Sequence, residues 1–213
     1  ISGTQSTVTA GTSNYIAGVN AGNSIASGGN YNVTIGDEAG TAITTGDQNT
    51  FVGYASGDAT TTPADNTAVG YNTLGANSTG HSNVALGSHA LEANTTAAYN
   101  TAVGNTSLDA NTEGSQNTSV GHNSLGANTT GSFNAAVGSG SLSLNTTASS
   151  NTAMGINALL SNTTGALNVA IGGSSLDANT TASSNVAVGA NALGANTTGT
   201  TNTAVGYNAM LLN

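Results

Sequence analysis

Asn66-Thr67-Ala68-Val69-Gly70 is the phrase on which the chain is built: an Asn, two small or β-forming residues, an aliphatic residue and a Gly. The phrase returns at Asn83, Asn100, Asn117, Asn134, Asn151, Asn168, Asn185 and Asn202, each time after 17 residues. Carried backwards, the register finds Asn49-Thr50-Phe51-Val52-Gly53 and Asn32-Val33-Thr34-Ile35-Gly36, so eleven copies follow one another without insertion or deletion. A period this short and strict marks a stack of equal coils, in which each coil buries its inner face against its neighbours.

With the Asn as position 0, one template describes every coil from residue 66 onwards. Positions 1 to 3 alternate as a strand does, which sends 1 and 3 to one side and the small residue at 2 to the other. Position 3 is always aliphatic: Val69, Leu86, Val103, Val120, Val137, Met154, Ile171, Val188 and Val205. Position 8 is Leu74, Leu91, Leu108, Leu125, Leu142, Leu159, Leu176 and Leu193, then Met210. Rows 3 and 8 are read as the core ladder, with a second short strand bringing the Leu inside. Position 4 is Gly70, Gly87, Gly104, Gly121, Gly138, Gly155, Gly172, Gly189 and Gly206, where a strand must end in a sharp or left-handed turn. Position 11 is Asn77, Asn94, Asn111, Asn128, Asn145, Asn162, Asn179 and Asn196, and again Asn213, followed by Thr-Thr-Gly or a close relative. Those residues make the second turn. The expected fold is therefore all-β: a parallel β-solenoid of 17 residues per coil and about 12 coils, spaced by about 4.8 Å and roughly 60 Å long.

Composition agrees with narrow coils. Aromatics are 4% of the 213 residues, there are 30 Gly, and the apolar fraction is mostly Ala and Val. Such a chain would read as disordered were it not for the period. It has no Lys or Arg against nine Asp and Glu, a net charge of -9, which argues against nucleic acid and anionic lipid as partners. With no Cys there is neither disulfide nor thiolate chemistry. No basic region followed by an apolar run opens the chain, so no leader is expected, and no apolar run is long enough to insert in a membrane.

Residues 1–31 share the composition but lose the register, since Gly18 precedes Gly36 by 18 residues. They are read as irregular N-terminal coils or a cap, with Thr7-Val8-Thr9-Ala10-Gly11 as a further strand. Residues 32–65 form two acidic regular coils containing Asp37, Glu38, Asp47, Asp58 and Asp65, and residues 66–213 nine regular coils. Pro63 falls between coils, where a missing amide donor costs least.

Asn185-Val186-Ala187-Val188-Gly189 and Asn168-Val169-Ala170-Ile171-Gly172 resemble the head repeats of YadA-like trimeric autotransporter adhesins, and Asn202-Thr203-Ala204-Val205-Gly206-Tyr207-Asn208-Ala209 is similar to repeats of phage tail fibres and bacterial surface proteins. The resemblance covers residues 32–213. It implies a left-handed parallel β-roll, three chains side by side, and a role in surface attachment.

Catalytic, cofactor and metal sites are not expected. His81, His89 and His122 occupy positions 15, 6 and 5, so stacking does not align them, and none is read as paired with an acid. Carboxylates are read as unrepeated from coil to coil, unlike the Asp ladders of calcium-binding rolls. The sequon-like Asn77-Ser78-Thr79, Asn94-Thr95-Thr96, Asn128-Thr129-Thr130, Asn145-Thr146-Thr147, Asn162-Thr163-Thr164, Asn179-Thr180-Thr181 and Asn196-Thr197-Thr198 would accept glycans only if the Asn faced outward. An inward Asn ladder is the favoured reading, because Asn111-Thr112-Glu113 keeps the Asn and loses the sequon. Position 5 varies most, and its Tyr54, Tyr71 and Tyr207 are candidate surface contacts for a glycan or protein receptor.

These readings lead to a non-enzymatic, extracellular role at a cell surface or on a virion: a structural and adhesive fibre segment built of homotrimers. One alternative is a single-chain solenoid whose copies pair end to end into a filament. The other is an ice-binding solenoid that uses the paired Thr residues.

Overall fold

In a computed structural model, the described residues are the backbone of 5–6 and residues 10–211. Thirteen strands follow in chain order: β1 (Gln5–Ser6), β2 (Tyr15–Ala17), β3 (Val33–Ile35), β4 (Thr50–Val52), β5 (Thr67–Val69), β6 (Val84–Leu86), β7 (Thr101–Val103), β8 (Thr118–Val120), β9 (Ala135–Val137), β10 (Thr152–Met154), β11 (Val169–Ile171), β12 (Val186–Val188) and β13 (Thr203–Val205). They form one sheet in that order. β1 runs antiparallel to β2, with Ser6 opposite Ile16. Every later pair is parallel and in register at the 17-residue step, as Thr101↔Thr118 and Val103↔Val120 show, except that β2 and β3 are offset by 18, with Tyr15 opposite Val33. No helix occurs among the described residues. The chain is a parallel β-solenoid. Residues 7–9 of the expected N-terminal strand, and Asn213, lie outside the described residues.

Two expectations need correction. First, no second strand carries the Leu at position 8. Positions 5 to 10 form successive turns in which positions 6 and 8 are left-handed, as with Thr106 (φ 51°) and Leu108 (φ 54°), and position 16 is left-handed too, as with Gln116 (φ 60°). Left-handed backbone costs an ordinary residue about 1–2 kcal/mol. Hydrogen bonds between coils offset that cost around the whole circumference. Thr106 N–H donates to Ser88 O at 3.1 Å, Leu108 N–H to Ser124 O at 3.0 Å and Ala110 N–H to Gly126 O at 3.3 Å.

Second, the aliphatic row at position 3 is not in the core. Val69, Leu86, Val137, Met154, Ile171 and Val205 are exposed, and Val103, Val120 and Val188 are only half-buried. The inward residues of each strand are positions 0 and 2. Ala68, Ala85, Ala102, Ala136, Ala153, Ala170 and Ala187 are fully buried, as are the position-8 leucines from Leu74 to Leu193. The reason is width: an inward Asn at 0 sets the pleat so that 2 also points in, and the Leu from the opposite wall leaves room for nothing larger than Ala or Ser. One coil exchanges the two volumes. There Phe51 occupies position 2 and Gly57 position 8, and a Cβ on Gly57 would lie 2.6 Å from the Phe51 ring. The acidic coils 32–65 continue the same sheet, with Ile43 and Thr60 buried where later coils carry the second Asn.

Candidate interaction surface

The interior is held by two columns of asparagine. In the first, the backbone N–H of each position-0 Asn donates to the Oδ1 of the Asn one coil earlier: Asn117 to Asn100 at 2.9 Å, Asn134 to Asn117 at 2.9 Å and Asn151 to Asn134 at 3.0 Å. In the second, Nδ2 of each position-11 Asn from Asn94 onwards reaches the preceding Oδ1, as from Asn128 to Asn111 at 2.8 Å and from Asn145 to Asn128 at 2.8 Å. Both columns converge on the position-14 carbonyl. Gly131 O accepts from Nδ2 of Asn117 at 2.9 Å and from Nδ2 of Asn128 at 3.0 Å, and Ala148 O accepts likewise from Asn134 and Asn145. Buried amides are tolerated because both ends are satisfied. Asn77, Asn94, Asn111, Asn128, Asn145, Asn162, Asn179 and Asn196 are 0–1% exposed, so in the folded chain none of the seven position-11 sequons presents its Asn to a glycosylating enzyme.

The outer surface is built from what the interior leaves out. Positions 1 and 3 form a flat sheet face with no charged residue in any of the eleven coils from 32 onwards. Tyr54, Tyr71 and Tyr207 are exposed beside it at position 5, and Tyr54 stacks on Tyr71 with ring centres 5.6 Å apart. Tyr71 in turn meets His89 edge-on at 5.1 Å. At position 12 the hydroxyls are consumed by the next coil's backbone, as Thr95 Oγ1 donates to Thr112 O at 3.1 Å and Thr129 Oγ1 to Thr146 O at 3.1 Å. The neighbouring Thr at position 13 is outward, as at Thr96, Thr130, Thr147 and Thr164.

Acids do recur, contrary to the expectation above. Asp58, Glu92, Asp109 and Asp177 all sit at position 9, and a column count at that position finds them in the sequence. Three of them line a shallow groove of about 440 Å³ with Asn72, Gly75, Ala76, Ala93 and Ala110, opened where Gly75 has no side chain. His89, read from sequence as unpaired, donates from Nδ1 to Glu92 Oε2 at 2.7 Å, and Asn72 Nδ2 donates to the other oxygen at 2.5 Å. Oδ1 of Asp58 and of Asp109 is buried without a hydrogen-bond partner. Burial accordingly pushes the carboxyls of Asp58, Asp109 and Asp177 above the usual carboxylate range. Among the described residues no three acidic, His or Cys side chains are grouped to hold a metal ion, and no helix is long and apolar enough to cross a membrane. Compared with known protein families, with curated proteins and with solved structures, the chain matches none.

Proposed function

We propose that the chain is a structural and adhesive segment of an extracellular fibre, on a cell surface or a virion, in which three copies lie side by side. What supports this is the outer sheet face: an uncharged row of half-exposed aliphatic side chains at position 3, from Ile35 to Val205. Ten rungs separate its ends, about 48 Å at the usual strand spacing, and the two columns at 1 and 3 span about 7 Å. Position 1 mixes Thr with Val and Ala, while the position-3 column is aliphatic throughout; an apolar row of that length is a poor surface to leave in water and a good one to bury against its own copy. The polar interior supplies stiffness, since each coil is hydrogen-bonded to the next on all sides. Such a rod acts as a spacer, with the stacked Tyr54–Tyr71 pair, and Tyr207 eight coils further along, as contact residues for a receptor. The ice-binding alternative draws less support: position-12 hydroxyls such as those of Thr95 and Thr129 are committed to backbone carbonyls, and the outward Thr50, Thr67, Thr101, Thr118, Thr152 and Thr203 at position 1 are interrupted by Val33, Val84, Ala135, Val169 and Val186. End-to-end pairing of single chains leaves the apolar strip uncovered.

Light scattering with negative-stain microscopy tests the assembly. The expected mass is three times 20.4 kDa in short rods. The double variant Val120→Asp/Val137→Asp, which places charge on adjacent rungs of the strip, should return it to one chain. A wild-type monomer at all concentrations, or filaments one chain in cross-section, would overturn the side-by-side arrangement.

A further inference from the structure

Position 16, the residue before each Asn, carries a pattern that the 17-residue period hides. In alternate coils it is large: Tyr31, Tyr99, Phe133 and Leu167 are each 58–60% exposed. The coils between carry Gln48, Ser82, Gln116, Ser150 and Ser184 at the same place, while Asp65 interrupts the row after Tyr31 and Thr201 ends it after Leu167. All four large residues are left-handed, with φ between 59° and 62°. More than half of each side chain is left in water, and its size is not needed to form the turn, since Ser150 adopts the same conformation one coil away with φ 62°. The fold thus gives no reason for a large apolar side chain there. Because the coils stack in register, Tyr99, Phe133 and Leu167 stand two rungs apart, about 9.5 Å. The Tyr99 ring meets His81 of the preceding coil edge-on at 5.0 Å, so it leans over position 15 and away from the outer sheet face. Three residues back in each coil, position 13 carries the exposed Thr96, Thr130 and Thr147, with the exposed Glu113 between the first two.

We propose that the Tyr99–Phe133–Leu167 row is a binding ridge for an extended, uncharged, β-1,4-linked polysaccharide lying along the rod. Successive sugars of such a chain turn over, so a disaccharide advances by nearly two rungs and offers the same apolar face to each side chain of the row. Rings supply contact area at little cost in side-chain entropy, and the Thr row supplies hydrogen bonds to sugar hydroxyls. Charge selects among glycans: with nine acids and no Lys or Arg, the chain repels uronate-bearing or sulfated polymers. The ridge rests on the adhesive part of the function proposed above and is independent of the trimer, since it lies off the sheet face.

Native gel electrophoresis through hydroxyethylcellulose, dextran or polygalacturonate tests the ridge, with light scattering on the same preparations. The wild-type chain should be retarded by hydroxyethylcellulose alone. Tyr99→Asn/Phe133→Asn, which keeps a residue tolerant of left-handed backbone, should raise the half-retarding concentration roughly tenfold or more for two lost stacking contacts. Leu144→Asn, an exposed apolar residue at position 10 and outside both proposed contact surfaces, should change nothing. The ridge is ruled out by absent retardation, by equal retardation in dextran, or by a double variant that behaves as wild type or no worse than Leu144→Asn. A chain that is monomeric but retarded loses the trimer and keeps the ridge; a trimer that runs freely loses only the ridge.

Discussion

Asn117→Ala probes the interior column at mid-stack. The side chain is 1% exposed, accepts the Asn134 backbone N–H on Oδ1 at 2.9 Å and donates from Nδ2 to Gly131 O at 2.9 Å. Alanine leaves the two partners unequally placed. Gly131 O keeps the Asn128 amide at 3.0 Å, so that loss is one ordinary hydrogen bond of about 0.5–1.5 kcal/mol. The Asn134 N–H is buried and keeps no acceptor, which costs about 1–3 kcal/mol. Together they give about 2–4 kcal/mol, read as a lower urea midpoint at unchanged slope. Thr130→Ala, on the outward row of the same region, should stay within about 0.5 kcal/mol. Asn117→Asp keeps the acceptor but turns a carboxylate oxygen towards Gly131 O, so at neutral pH it should cost more than alanine. Because its folded-state pKa would be raised, that excess should shrink as pH falls towards the usual carboxylate range. An Asn117→Ala penalty no larger than that of Thr130→Ala would refute the polar-column account.

Other perturbations separate the remaining parts of the structure. Leu108→Ala empties a fully buried site and should cost about 2–5 kcal/mol, whereas Val103→Ala on the outer face should cost under about 1 kcal/mol in dilute monomer and more where copies associate, as denaturation at several concentrations would show. At Gly104 (φ 135°) a Cβ would lie 2.5 Å from Gly121 O, while at Gly206 (φ 127°) the nearest atom is Ala209 Cβ at 3.9 Å. Both alanine variants carry backbone strain, but only Gly104→Ala must push two coils apart, so it should have the lower thermal midpoint. Asp58, Asp109 and Asp177 have raised carboxyl pKa values in the fold. The folded state therefore binds protons more readily than the unfolded one, and the urea midpoint should rise as pH is lowered from 7 towards 4, with a fall over that range counting against buried position-9 carboxylates.

The period, the parallel stack and the buried Leu row were legible because eleven equal copies leave no other economical fold. The inner face of the strand was misread because hydrophobicity was given more weight than size: Val69 and Val103 are larger than Ala68 and Ala102, yet a narrow core admits only the smaller. The alternation itself held the answer, since position 2 shares a face with the invariant Asn at 0. Left-handed backbone at Leu108 was not legible from Leu, which has no tendency towards it. The hint lay in Gly40 and Gly57, which occupy the same position with φ 58° and 62°. The position-9 acids and the alternation at position 16 were missed for one reason: each is a partial column, visible only when residues are compared down the stack rather than along the chain.

The central structural claim is that stacked Asn side chains hold the coils together, and hydrogen exchange of the side-chain amides by NMR tests it most directly. Nδ2 protons of Asn100, Asn117, Asn128 and Asn145, buried and bonded, should exchange only when coils separate, as slowly as the neighbouring strand amides. Those of the exposed Asn105 should exchange within seconds. If interior and surface Asn amides exchanged at the same rapid rate, the columns would not be what joins one coil to the next.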